Sequence, residues 1–219
     1  MRIGILGSGL MGGKLGTLFA KAGHDVVFSY ARSRGKLETL AREAGPTARA
    51  GTPREAVQHA EALLLSVHWN RLDDVLRQAG DLSGKVVVTC SLPMDDDDTG
   101  LIVAHTASGA EVLAKKAAGA RVVSAFGTVP SEVLTSVFEA RNGDARPSLV
   151  YCGDDDDAKE VAAQLIRDVG FDPVDAGPLQ VARYLEPFTL LIAKLAYEGR
   201  EGPTLAYRFE HFDQREQRI

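Results

Sequence analysis

Three glycines near the start of the chain, in Gly7-Ser8-Gly9-Leu10-Met11-Gly12, are spaced to hold a phosphate. The string directly follows a β-branched run, Ile3 to Leu6, and opens a helical stretch, Lys14 to Ala22, which Gly23 ends. In that strand–turn–helix setting each glycine has a distinct use. Gly7 permits the tight turn, Gly9 lets backbone approach a pyrophosphate, and Gly12 lets the helix pack on the strand. The first N–H groups of the helix then face the anion. A bare glycine-rich turn is the plain alternative, but the surrounding strand and helix are what dinucleotide binding requires.

The end of the next strand decides which dinucleotide. NAD calls for an acid about 20 residues after the glycines, to bind the ribose 2′-OH. Phe28-Ser29-Tyr30-Ala31-Arg32-Ser33-Arg34 has none, and Asp25 lies at the strand's beginning. A guanidinium flanked by hydroxyls suits a 2′-phosphate, which it can hold by two parallel charged hydrogen bonds. Arg32 is the first candidate and Arg34 a stand-in, so NADP(H) is favoured over NAD. The alternative is a solvated basic turn.

Ligands in an open α/β sheet sit outside the carboxyl ends of the strands. Three such ends bear on the chemistry: Ser66-Val67-His68-Trp69, Cys90-Ser91-Leu92-Pro93 and Ala125-Phe126-Gly127-Thr128. His68 could donate a proton, or simply hydrogen-bond locally. Trp69 could pack in the core, or wall a nicotinamide. Cys90 reads as a small buried hydrophobe rather than a reactive thiol. His24, His59 and His105 read as surface residues, and no histidine pair has metal-ligand spacing, so no metal site is expected. Asp154 to Asp157 read as an N-cap with favourable charge at a helix dipole. Asp95 to Asp98 read as a solvated loop. Lys194 reads as an isolated helical lysine whose stem snorkels. No nucleophile–base pair stands out, and the catalytic residues stay unassigned. That pattern fits hydride transfer, in which the cofactor carries the chemistry and the protein positions it.

The elements that must position these residues follow an alternating rhythm. Strands are expected at Ile3–Leu6, Val26–Ser29, Leu63–Val67, Lys85–Thr89 and Arg121–Ala125. Helices lie between them, two of them opened by the capping boxes Thr52-Pro53-Arg54-Glu55 and Ser108-Gly109-Ala110-Glu111. This is an α/β, Rossmann-type doubly wound, mostly parallel sheet over residues 1–126. From 127 to 219 the rhythm changes to a small C-terminal α/β lobe. Residues 127–147 are loop-rich, Ser148–Cys152 is a strand and Asp156–Val169 a helix. Leu179–Glu198 is a last helix, interrupted by Pro187.

Length and charge agree with this class. The chain has 219 residues, 25 Lys+Arg against 30 Asp+Glu, and a formal charge of −5. No basic stripe invites nucleic acid, and no apolar run reaches the roughly 18 residues of a membrane span. The N-terminus lacks the basic region of a signal peptide. The two cysteines, Cys90 and Cys152, exclude a disulfide scaffold. A soluble cytoplasmic protein acting on a small molecule is expected.

Several runs together resemble the NADPH-dependent reductases of the deazaflavin coenzyme F420 (8-hydroxy-5-deazaflavin:NADPH oxidoreductases). They are Gly7–Gly12, Gly23-His24-Asp25-Val26-Val27, the turn at Arg32, and Arg121 to Pro130. Later come Cys152-Gly153-Asp154-Asp155, Asp172 to Leu179, Ala182-Arg183 and Leu185-Glu186-Pro187. The resemblance implies a homodimer and direct hydride transfer between nicotinamide and a stacked deazaflavin or flavin-like ring. It assigns the pyrophosphate loop to Gly7, Ser8, Gly9, Leu10, Met11 and Gly12, and the 2′-phosphate clamp to Ser29, Tyr30, Arg32 and Ser33. It assigns the nicotinamide pocket to Val67, His68, Trp69, Leu92 and Pro93, and the acceptor to Trp69, Phe126, Gly127, Thr128 and Val129. The chain departs from the family at His68, where Pro is frequent, at Gly127, where Asn or His is, and along Asp95–Asp98. The cofactor domain also resembles that of membrane ferric reductases, whose membrane helices have no counterpart here. Two other readings are a reductase of small imines or hydroxy acids and a non-catalytic NADP(H) redox sensor.

Overall fold

The structure is a computed structural model and describes residues 1–211; the end of the expected C-terminal lobe, 212–219, lies outside the described residues. Six strands form the parallel part of the sheet: β1 (Arg2–Leu6), β2 (Asp25–Ser29), β3 (Ala48–Ala50), β4 (Ala62–Leu65), β5 (Val86–Thr89) and β6 (Arg121–Ser124). Two more, β7 (Ser148–Gly153) and β8 (Asp172–Asp175), complete the order β3-β2-β1-β4-β5-β6-β7-β8. β7 runs antiparallel to β6 and pairs with it at Ser124↔Cys152 and Val123↔Gly153, while β8 is parallel to β7. The order reverses between β1 and β4, which opens the crevice expected of a doubly wound sheet.

Among the described residues eight α-helices accompany the strands, the last of them following β8: α1 (Leu10–Lys21), α2 (Arg34–Ala44), α3 (Pro53–His59), α4 (Leu72–Ala79), α5 (Gly109–Lys116), α6 (Leu134–Glu139), α7 (Asp156–Val169) and α8 (Ala182–Tyr197). The near-continuous apolar strands are buried on both faces, as a parallel sheet demands. On one face Ile3, Ile5, Phe28, Leu64 and Val88 pack with Leu15, Phe19 and Ile166 of α1 and α7. On the other, Leu63, Leu65 and Val87 pack with Val57, Val75 and Leu113 of α3, α4 and α5. Successive strand residues point to opposite faces, and the two cores follow that alternation.

The helix starts have the chemistry that their sequences announce. Thr52 and Glu55 form a reciprocal capping box at α3, and Asp155 caps α7 with Asp156 and Asp157 in its first turn. At α5 the box is half made: the Ser108 hydroxyl accepts from Glu111 N, but the Glu111 carboxylate turns to Arg183 at 2.7 and 2.8 Å.

Some expectations change. β3, β8 and α6 were not expected; they are short, and β8 is an edge strand that tolerates Pro173. α8 runs through Pro187 without a break, and a separate 3-10 turn, Leu179–Val181, precedes it. His24 is buried rather than on the surface, with the N-terminal ammonium 3.1 Å from Nδ1 and the Asp168 carboxylate 2.9 Å from Nε2. His59 is also drawn in, to 3.2 Å from the Asp25 carboxylate.

Candidate functional site

The glycine loop is built by contacts that only glycine allows. Gly7 has φ +112, in the region that side chains avoid, and a Cβ there would stand 2.2 Å from the Ser66 carbonyl oxygen. A Cβ on Gly12 would stand 1.9 Å from the Gly7 carbonyl oxygen, so α1 lies directly on the turn. Around Gly9 a Cβ would meet nothing within 4 Å, leaving an open cradle. Gly7 N and Ser8 N donate to Ser29 O and Tyr30 O, which fixes the loop on the end of β2. α1 begins with no side-chain cap and no acid in its first turn, so its leading N–H groups stay available to an anion.

The cradle opens into a cleft of about 1260 Å³, larger than the ~300–1,000 Å³ of an ordinary single-ligand pocket. Gly7, Ser8, Gly9, Leu10 and Met11 line its middle. Gly12 is buried beneath them.

At one end lie Tyr30, Arg32, Ser33, Arg34 and Lys36. Arg34 is engaged, its Nε 3.0 Å from Glu38. Arg32 is exposed and, among the described residues, has no carboxylate within ion-pair distance. Ser33 caps α2 by accepting from Lys36 N at 3.3 Å. Tyr30 sits at φ +57 and donates its hydroxyl to Asp74 at 2.7 Å. Burial, aided by that carboxylate, pushes its phenol up to about 12. Asp74 also accepts from Arg77 and Gln78, so it offers no free acid to a ribose.

At the other end Val67, His68, Trp69 and Leu92 line the cleft. Val67 N donates to Ser91 Oγ at 3.0 Å, stitching the ends of β4 and β5 together. His68 is exposed, with Nδ1 4.0 Å from Asp98, too far for a hydrogen bond to orient it. Burial pushes the Cys90 thiol up to about 11, so it is no ready nucleophile. Met94, Asp95, Asp96 and Asp98 form a rim here, and Asn70 donates to Asp96 across it at 3.2 Å. This acidic loop, expected to be mere solvated surface, borders the site. Among the described residues no cluster of three His, Cys, Asp or Glu side chains could hold a metal.

Several expected contacts need correction. Ser29 is fully buried and donates its hydroxyl to Ile5 O at 2.6 Å, so it cannot reach a phosphate in the cleft. Pro93 is buried behind Trp69, against α5, and does not line the cleft. Phe126 has φ +64 and lies edge-on to Phe19 within the core, where Val129 also packs. Gly127 and Thr128 face a separate internal cavity of about 10 Å³, room for about one water. The Thr128 hydroxyl there lies 2.7 Å from that of Tyr207. Of the expected acceptor residues, Trp69 is the one on the cleft. Sequence reasoning gave no binding role to Lys36, Gly51, Thr52 or Ser91, which line the cleft from the first turn of α2, the segment between β3 and α3, and the end of β5.

Comparison with known proteins agrees with this geometry. Residues 2–93 match the family described as NADP oxidoreductase, coenzyme F420-dependent. Metalloreductase STEAP3 of Rattus norvegicus is 29% identical over 192 residues, covering 86% of this chain. The chain spans 36% of that relative's length. Among solved structures, a protein proposed to be an F420-dependent NADP-reductase, from Arthrobacter sp. FB24, superposes with a TM-score of 0.83. It is 21% identical, with 96% of this chain and 100% of that one covered, a likeness of fold. A hypothetical protein, SMa0349 of Sinorhizobium meliloti, gives 0.75 at 25% identity, with 96% of each chain covered. Over residues 2–93 the chain is thus similar to the NADP oxidoreductases described as coenzyme F420-dependent.

Proposed function

We propose that this chain binds NADPH along the cleft and passes a hydride to a flat ring acceptor of deazaflavin or flavin type. The observation that carries this is the continuity of one cleft from Arg32, past the open cradle at Gly9, to Trp69. Arg32 would hold the 2′-phosphate and the N-terminus of α1 the pyrophosphate. Val67, Trp69 and Leu92 would form an apolar wall that keeps water from the reacting face. NADPH, when bound, supplies the hydride; the ring takes it with one proton from solvent, to which the rim is open. Because Phe126 and Val129 are core, the acceptor enters over Trp69 and the Met94–Asp98 rim.

The same reading gives the segment from 127 onward the part of a smaller lobe backing the acceptor side. It includes a homodimer, supported by the exposed Tyr184, Leu191 and Leu195 on one stripe of α8. It also includes a cytoplasmic setting, which the free thiols Cys90 and Cys152 suit. No helix among the described residues is long and apolar enough to cross a membrane.

The test is absorbance on mixing NADPH or NADH with oxidised deazaflavin, then with FMN and FAD. NADPH-dependent bleaching of the deazaflavin is expected. Tight NADPH binding without transfer to any ring would overturn the acceptor, leaving a reductase of another small substrate or a redox sensor.

A further inference from the structure

Glu186 has no part in the reading above, yet it is 3% exposed on the inner side of α8. Its carboxylate accepts from Gly109 N at 2.8 Å and from Ala110 N at 3.0 Å. These are leading N–H groups of α5, which have no partner within their own helix. A buried carboxylate is costly; here the two bonds and the positive end of the helix offset part of the cost.

The N-terminus of α5 in turn supports the wall of the cleft. A Cβ on Gly109 would lie 2.8 Å from Pro93 Cδ and 3.2 Å from Trp69 Cζ3, so both rings rest on this first turn. Glu186 also borders the small internal cavity, whose Cys90, Ser91 and Leu92 side is shared with the cleft. One acid on α8 thus stands behind both strand ends that face a nicotinamide. The Arg183–Glu111 pair fastens the same seam, from the same first turn of α5 to a position one turn earlier on α8.

We propose that Glu186 is a positioning residue for the reactive end of the cleft: by holding α5 it fixes the depth and tilt of Trp69. It touches neither cofactor nor acceptor. The kinetic consequence rests on the function proposed above, whereas the placement of Trp69 belongs to the protein alone. Glutamine in its place keeps the shape but offers one acceptor oxygen and sets an NH₂ against a backbone donor. The seam then loosens at Gly109, and the Arg183–Glu111 pair keeps the helices together.

Trp69 is the one tryptophan in the sequence, so intrinsic fluorescence reads this wall directly. In Glu186→Gln its emission is expected to shift to the red, with stronger quenching by acrylamide. The kcat for reduction of the ring is expected to fall about 10-fold, as for a displacement below ~1 Å. The NADPH Kd should stay within about 3-fold, because Arg32 and the glycine loop are untouched. Glu186→Asp keeps the charge but withdraws it from one N–H, and gives the same change in Trp69 should the glutamine variant not fold. Wild-type emission and quenching in the variants would overturn the proposal, whatever NADPH does. Lower thermal stability with kcat and Trp69 unchanged would also overturn it, leaving only a helix cap. If wild-type protein reduces no ring, the proposed function fails, and the fluorescence still decides the role of Glu186.

Discussion

Arg32 and Arg34 are two residues apart on the same turn, yet the structure gives them different surroundings. Arg34 is tied to Glu38 one helical turn on, an exposed pair that contributes little, whereas Arg32 faces the cleft without such a partner. A charged hydrogen bond to the 2′-phosphate contributes roughly 1.5–3 kcal/mol. Arg32→Ala is therefore expected to weaken NADPH binding about 10- to 150-fold and to leave NADH binding nearly unchanged. Arg34→Ala should stay within about 3-fold for both. Titration of Trp69 fluorescence measures all four constants, and an equal loss of NADH affinity in Arg32→Ala would remove the 2′-phosphate from the argument. Ser29 carries the complementary lesson. Its hydroxyl looks like part of the clamp in the sequence, but the alternation of β2 turns it inward, onto the Ile5 carbonyl.

Among the elements, α1 and α5 are the two whose first turns shape the cleft. Replacing a helical glycine by alanine ordinarily stabilises by up to ~1 kcal/mol. At Gly13 the new methyl would come nearest to Leu40 at 3.3 Å, a side chain able to yield, with the Ser8 carbonyl oxygen at an ordinary 3.8 Å. At Gly12 it would meet backbone at 1.9 Å. Gly12→Ala is therefore expected to cost about 1–3 kcal/mol in urea unfolding and to abolish NADPH binding, with Gly13→Ala close to neutral. Full binding by Gly12→Ala would mean that α1 can lift off the turn at no cost. At α5, burial outweighs the two N–H bonds and pushes the Glu186 carboxyl up to about 7. Glu111 adds to the rise, while the nearby Cys152 thiol is itself pushed up to about 12. Between the ordinary carboxylate range and about pH 7 the folded chain holds a proton that the unfolded chain has released. The contribution of Glu186 to stability is thus fullest in acid and lost as pH rises through about 7, a change of about 3 kcal/mol at most. Unfolding by urea at about pH 5 and about pH 8 should show a smaller pH difference in Glu186→Gln than in wild type. Equal differences would mean that the carboxyl titrates in its ordinary range.

At the scale of the whole molecule, β7 and β8 extend the sheet beyond β6, and α8 backs the carboxyl ends of β5 and β6. One side of α8 packs inward through Ala182, Leu185 and Ile192, while Tyr184, Leu191 and Leu195 stand more than half exposed at helical spacing on the other. Large apolar side chains exposed together along one stripe suit a protein–protein contact. For the proposed homodimer, sedimentation of the wild-type chain should give twice the 23.4 kDa mass, and Leu195→Glu should shift it toward the monomer. A wild-type chain that sediments as a monomer would refute the dimer.

The sequence by itself determined the alternating fold, the glycine turn, the missing acid after β2, and the caps at Thr52, Ser108 and Asp155. Those signals are local, because a turn glycine or a capping hydroxyl acts within a few residues of its own position. Only the tertiary structure decided that Phe126 and Val129 belong to the core, that Ser29 faces away from the cleft, and that Asp95, Asp96 and Asp98 rim it. It also decided that Glu186, 77 positions from Gly109, caps α5 beneath Trp69. Such pairings depend on which face of a strand or helix meets which neighbour once the layers close, and no spacing within the chain encodes that contact directly.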